Sequence, residues 1–362
     1  MDPSTSGPVP VGPSAVPPTS PPPQIIIQQR PPLLGRFGKF LLAALGIAVL
    51  IIFGLVGQYH TYFNTADRPQ ERFHSLSSTA TQKIAIISVD GTILDTDDGF
   101  VKRQIDRVKE DENVVAVVLR IDSPGGTVTA SDYLYHHLRQ LAEKRKMPIV
   151  VSMGSLCASG GYYIAMAAGT EPDVIFAEPT TWTGSIGVVI PHYDLSGLLG
   201  RIDVKDDSVA SGPLKLMASP TRPMTDEDRK LLQQLVDETY SRFKEIVVAG
   251  RPKFKDDPKA LDAVATGQIF TSQQGLELGL VDKIGFIEAA IERAAELAGY
   301  PTSDLRCVRF RRPTTFVEEL MRGQAAPTRG LALDPTTLFD LATPRAYYLW
   351  TWLPAIMSNS SK

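Results

Sequence analysis

Cysteine is nearly missing from this 362-residue chain. Cys157 and Cys307 stand far apart, with no CxxC pair and no Cys/His spacing suited to a metal, which argues against a disulfide framework and a zinc site alike. Runs of Lys and Arg interleaved with aromatics are missing too, and a net charge of −3 leaves no electrostatic footprint for nucleic acid. No GxSxG elbow is present to mark a hydrolase triad. Five histidines are available. His60 and His74 follow closely on a long apolar run, His136 and His137 adjoin on an expected helix, and only His192, after a strand-like run, is placed to serve a triad. No metal, cofactor or internal repeat is expected. A hydrophobic content of 43% with 21% charged residues is enough to bury one large or two modest cores.

Charge is absent most completely from residues 40–59, FLLAALGIAVLIIFGLVGQY. As a helix this run reaches about 30 Å, the thickness of a bilayer's hydrocarbon. We read residues 37–59 as a membrane-spanning helix, the competing reading being a buried helix of a soluble fold. Because a long tail precedes it, the span is expected to be an uncleaved anchor rather than a signal peptide. That tail, residues 1–36, is rich in Pro, Ser and Thr and is expected to be disordered. Arg30, Arg36 and Lys39 precede the span, whereas no charged residue follows it before Asp67. The N-terminus is therefore expected to be cytoplasmic and everything after the span extracytoplasmic, in a periplasm-like space.

A polar linker is expected over residues 60–82 and a folded domain over 83–310. Val/Ile-rich runs at 83–92, 114–122 and 148–152 alternate with helical patterns at 99–111 and 129–146. That rhythm predicts an α/β core of parallel βαβ units, with ligands near the carboxyl ends of the strands. Further strands are expected in DVIFAE and SIGVVI, and a helix after Ser159. A long helix over 224–250 begins with Thr225 as N-cap and acidic residues in its first turn, and ends at Gly250 and Pro252. Shorter helices are expected at 259–266, 272–278 and 286–298. Residues 311–362 form a looser extension ending in AYYLWTWLPAIM, too short to span a bilayer, which either docks on the domain or sits at a membrane interface.

Four short segments could hold chemistry. In MGSLCASGGYYIA, Ser159 precedes two glycines at an expected strand-to-helix turn, where backbone N–H groups can point outward. Taken alone, Ser-Gly-Gly is equally a flexible turn. A serine needs a base, and a lysine in apolar surroundings can supply one. Lys215, in ASGPLKLMASP, lies between two leucines, although a lysine there could also extend from a surface strand. DSPGG at 122–126 offers a turn whose amides could face a bound carbonyl, or an ordinary tight turn. Ser185 in TGSIG could orient an amine or cap a turn.

In this order, DSPGG, ASGGYYIA, TGSIG, SGPLK with SPTRPMT, and GLVDKIG at 279–285 resemble the signal peptide peptidase A family of membrane-anchored Ser/Lys peptidases, relatives of the Clp protease and crotonase folds. The similarity covers residues 83–300. It implies a Clp protease/crotonase-like α/β core behind one transmembrane helix, Ser159 as nucleophile, Lys215 as general base and Ser185 holding the lysine amine. Gly126 and Gly160 would supply oxyanion amides and Gly125 would shape the turn. It also implies short apolar peptide substrates such as signal peptide remnants, and a homo-oligomer. The chain departs from the family's usual pattern at Cys157, at Leu216 and around Gln268. Two other readings remain: a catalytically silent membrane scaffold, and a crotonase-type acyl-CoA enzyme, which lacks a suitable Glu pair beside the glycine turns.

Overall fold

The computed structural model describes residues 35–63, 68–94, 96–312 and 347–349. The Pro-rich tail and most of the C-terminal extension lie outside these residues. Two compact units result, Met1–Asn64 and Thr65–Lys362.

The described part of the first unit is one helix, α1 (Arg36–Phe63). Its segment Phe37–Gly57 is long and apolar enough to cross a bilayer, and none of it is buried against protein. So much exposed hydrocarbon is unfavourable in water, and the helix has the length and composition of a membrane span.

The second unit runs β1 (Gln70–Leu76), β2 (Gln82–Asp90), α2 (Phe100–Glu110), β3 (Val114–Ser123), β4 (Gly125–Thr127), α3 (Val128–Arg145), β5 (Ile149–Ala158) and α4 (Gly160–Ala165). It continues with β6 (Ile175–Ala177), β7 (Trp182–Gly184), α5 (Ser196–Arg201), α6 (Asp226–Gly250), α7 (Lys253–Asp256) and α8 (Pro258–Val264). Last come β8 (Ile269–Thr271), α9 (Ser272–Leu278), β9 (Lys283–Ile284), α10 (Ile287–Ala298), β10 (Leu305–Arg311) and β11 (Tyr347–Leu349).

Among the described residues, one sheet has the order β1-β10-β2-β3-β5-β6-β9, with β7 branching from the end of β5 and β8 pairing β7. All its pairings are parallel except β1 with β10 and β7 with β8. The parallel α/β core expected from the sequence is thus present. Its physical basis is the near-continuous apolar character of β2, β3 and β5, most of whose side chains are buried on both faces. Helix α10 lies across β2, β3, β5 and β6, while α2, α3 and α4 pack together as a second group against the sheet. Helix α6 begins as its sequence predicts: the Thr225 hydroxyl accepts from the Asp228 amide and the Asp228 carboxylate accepts from the Thr225 amide.

Three local expectations differ from what forms. Residues 70–76, within the stretch read as a linker, form edge strand β1, antiparallel to β10. The buried Lys83 ties that edge down by pairing with Glu71 at 2.7 Å and Asp111 at 2.9 Å, a long-range contact that no local pattern reveals. The strand anticipated at 185–190 is replaced by β7 at Trp182–Gly184, because positive φ at Gly184 (90°) and Ser185 (50°) turns the chain there. Strand β5 runs on to Ala158 rather than ending near residue 152, since its last residues gain β7 as a partner.

Behind α4, the fully buried Phe243 of α6 packs on Tyr163, ring centroids 5.1 Å apart. Phe243→Ala is expected to cost about 3–5 kcal/mol by loss of transfer energy and cavity formation, read as a lower urea midpoint with an unchanged slope.

Candidate functional site

Strand β5 hands over to α4 at Ser159, which has φ 53° and ψ −117°. For a residue with a Cβ this backbone is strained, and such strain persists only where surrounding bonds hold it. Two bonds do so here. The Ser159 N–H donates to the Gly184 carbonyl at 2.8 Å, and the Ser159 carbonyl accepts from the Tyr163 N–H at 2.9 Å. The residue is 1% exposed. Its hydroxyl has no hydrogen-bond partner among the described residues, yet Oγ is not one of the fully enclosed unpartnered atoms.

Register brings Ser185 alongside. Ala158 of β5 pairs with Gly184 of β7, so the next residue on each strand is a serine with positive φ. Ser185 is held by its N–H, which donates to the Gln268 carbonyl at 2.7 Å. Lys215 makes no hydrogen bond to either serine. It lies in a short 3-10 turn, Pro213–Leu216, is exposed, and makes no side-chain hydrogen bond or ion pair among the described residues. The apolar setting expected for it is corrected, because neighbouring Leu214 is itself 41% exposed.

The glycines are explained by close approach. A Cβ on Gly126 would stand 1.8 Å from the Ile93 carbonyl oxygen, and one on Gly160 would stand 2.4 Å from Ser131 Oγ and 3.1 Å from the Gly126 nitrogen. Gly125 has φ 101°, a backbone that disfavours other residues. Along β4, the Gly125 carbonyl accepts from the Ile93 N–H and the Thr127 N–H donates to the Ile93 carbonyl, both at 2.9 Å. Both edges of β4 are thereby engaged, since the opposite one pairs antiparallel with β11, Tyr348 opposite Gly126 and Leu349 opposite Gly125. Strand β11 also lies against α3 and α4. The aromatic end of the chain thus contributes a strand beside the glycine turn, while the rest of that segment lies outside the described residues.

Sequence reasoning missed the residues that fix this turn. Ser123 Oγ donates to the Gly91 carbonyl at 2.6 Å and accepts from the Gly125 N–H at 3.1 Å. Asp122 Oδ1 accepts from the Leu156 N–H at 3.1 Å, tying DSPGG to the end of β5. Ser131 Oγ donates to the Thr127 carbonyl at 2.9 Å. The polar residues before Pro-Gly-Gly were the available signal. His192 makes no hydrogen bond to Ser159; its Nε2 lies 3.2 Å from the Ser219 carbonyl. Cys157 is no competing nucleophile, because burial first, and then the Asp122 charge, push its thiol pKa far up. His136 and His137 line a separate cleft of about 660 Å³ together with Asp132, Tyr163 and Arg242.

Gly126→Ala is expected to displace β4 from Ile93 and lower the melting temperature, because the obstruction is backbone, whereas Ser131→Ala, which removes only one hydroxyl, should lower it less; differential scanning calorimetry decides.

Residues 141–300 match Peptidase family S49. The chain is 39% identical over 244 residues to the putative protease slr0021 of Synechocystis, spanning 67% of this chain and 84% of that protein. To the putative signal peptide peptidase SppA of Enterococcus faecium it is 34% identical over 262 residues, 69% of this chain and 73% of the relative. A solved structure, a lysine-to-alanine mutant of the 1510-N membrane-bound stomatin-specific protease with a substrate peptide, superposes with a TM-score of 0.41 and 16% identity, covering 67% of this chain and 97% of that one. With this much identity along most of the length of the Synechocystis and Enterococcus relatives, the chain belongs to peptidase family S49 and is a serine peptidase.

Proposed function

We propose that the protein is a membrane-anchored endopeptidase that hydrolyses short apolar peptides, such as signal peptide remnants, with a Ser159/Lys215 dyad. The observation that supports this best is the pairing of an extended segment, β11, on β4, against the helix that starts at Ser159. An edge that accepts one polypeptide strand by backbone hydrogen bonds can accept another in the same way. In this reading, substrate lies where β11 lies.

The neutral Lys215 amine takes the Ser159 proton as Oγ attacks the scissile carbonyl carbon, with Ser185 orienting the amine. The Gly126 and Gly160 amides donate to the oxyanion, and Gly125 keeps the turn open for that approach. The protonated lysine returns its proton to the departing amine, leaving an acyl-enzyme. Lys215 then deprotonates a water, which releases the acid product and frees Ser159. Helix α1 holds the enzyme in the bilayer with its N-terminus cytoplasmic and the peptidase domain outside.

The dyad must still be assembled, since a base has to come within hydrogen-bond reach of its proton. We infer that a neighbouring copy in a homo-oligomer supplies Lys215. Supporting this, the segment around it exposes Tyr193, Leu198, Ile202 and Val209, each at 58% or more, an apolar surface suited to a protein partner.

Ser159→Ala is expected to abolish both peptide hydrolysis and labelling by a fluorophosphonate probe. Lys215→Ala should reduce both by a factor on the order of 100 or more, while His192→Ala leaves them intact; dependence on His192 instead of Lys215 would sink the dyad. Co-assembly of the Ser159→Ala and Lys215→Ala chains should restore part of the activity, and no recovery from a verified mixed oligomer counts against sharing between copies. Truncation before Tyr347 is expected to lower KM with little change in kcat, because it removes a competitor from β4.

A further inference from the structure

The outer face of the β1–β10 edge holds an unbalanced charge cluster. Arg72 and Arg309 stand directly opposite each other in the antiparallel register, and Arg311 faces Gln70 two pairs further along, on the same face. All three arginines are exposed. None makes a side-chain hydrogen bond or ion pair among the described residues. Arg306, by contrast, faces away and is matched by Glu71 at 3.3 Å. Like charges directly opposite in a sheet are destabilising, so stability alone does not account for an Arg-Arg pair without a counter-ion. Arg72, Arg309 and Arg311, together with Phe73 and His74, line a cleft of about 540 Å³. Burial and the Arg309 charge lower the His74 pKa, with Glu288 opposing, so the arginines supply the cleft's positive charge. Phe73 is 53% exposed beside them.

We propose that this face docks on anionic phospholipid headgroups, a reading that rests on α1 spanning the bilayer. Covalent length favours that occupant. The chain from Phe63 at the end of α1 to Gln70 at the start of β1 extends at most about 25 Å. The three arginines lie in the first pairs of that strand, so the connection is short enough to let them reach the lipid surface. Guanidinium groups match phosphate geometry, and an exposed aromatic residue next to Arg72 on the same strand suits the headgroup level. Docking this edge would cover the unpaired outer side of β1 and fix which way the peptidase domain faces the membrane.

The test uses the full chain in lipid nanodiscs, with Phe73→Trp as a reporter of contact with brominated lipid and the Phe73 protein as background. Resistance of the protein to alkaline extraction from vesicles is measured first, because its loss means that α1 does not span, a failure distinct from that of docking. Quenching is expected to be strong in discs of about one-third phosphatidylglycerol and weak in phosphatidylcholine. Each of Arg72→Gln, Arg309→Gln and Arg311→Gln should lower the docked-to-undocked ratio about fivefold, and the triple variant should keep its activity on a soluble peptide. Equal quenching in both lipids, or quenching indifferent to the triple variant, overturns the proposal. So does suppression by polyglutamate without dependence on phosphatidylglycerol, which reassigns the face to an acidic polypeptide. Arg309→Gln is expected to leave the melting temperature unchanged or raised; a fall would show that the arginine serves the fold instead.

Discussion

The hydrogen bond from the Ser159 N–H to the Gly184 carbonyl, 2.8 Å long, joins the two strand ends on which the site is built. It continues the parallel β5–β7 ladder one residue beyond Ala158 and holds Ser159 at positive φ. Without it the chain would relax toward ordinary extended or helical backbone. The same ladder places Ser185 level with Ser159. A single register thus sets the position of two side chains that lie 26 residues apart in sequence.

Around that point the structure is tight because it is built of backbone. Gly126 fits under the Ile93 carbonyl and Gly160 fits against both Ser131 and the Gly126 amide, with no room for a Cβ at either place. Close backbone approach serves a peptidase well, since substrate strands and developing oxyanions are both recognised by amides. Ser123 and Asp122 brace the turn through backbone partners on the 91 and 156 segments, adding polar support to the conformation that Gly125 permits. Side chains such as Tyr163 and Phe243 support the turn from behind.

The exposed segment around Lys215 differs in kind. Residues near Ser159 are buried and hydrogen-bonded, whereas the stretch between β7 and α6 displays large apolar side chains to solvent. A base acts only within hydrogen-bond reach of the proton it takes, and Lys215 makes no side-chain hydrogen bond among the described residues. The proposed nucleophile and oxyanion amides thus lie in ordered backbone, whereas the proposed base lies on an exposed turn. This asymmetry is what makes assembly part of the proposed mechanism.

Local sequence was sufficient for features set by local physics. An uncharged run long enough for a bilayer, Val/Ile-rich strands alternating with helical patterns, and the Thr225 cap all depend on near neighbours, and each formed. The order of DSPGG, Ser159, Ser185 and Lys215 was also legible, and it pointed to the family. Only the tertiary structure decided the rest. Strand β1 exists because β10, more than 200 residues later, gives it a partner, and Lys83 anchors that edge through Glu71 and Asp111. Strand β11 appears beside Gly126 for the same reason. Lys215 was expected in apolar surroundings because leucines flank it, but flanking residues do not bury a side chain; only packing from distant segments does, and among the described residues Lys215 stays exposed.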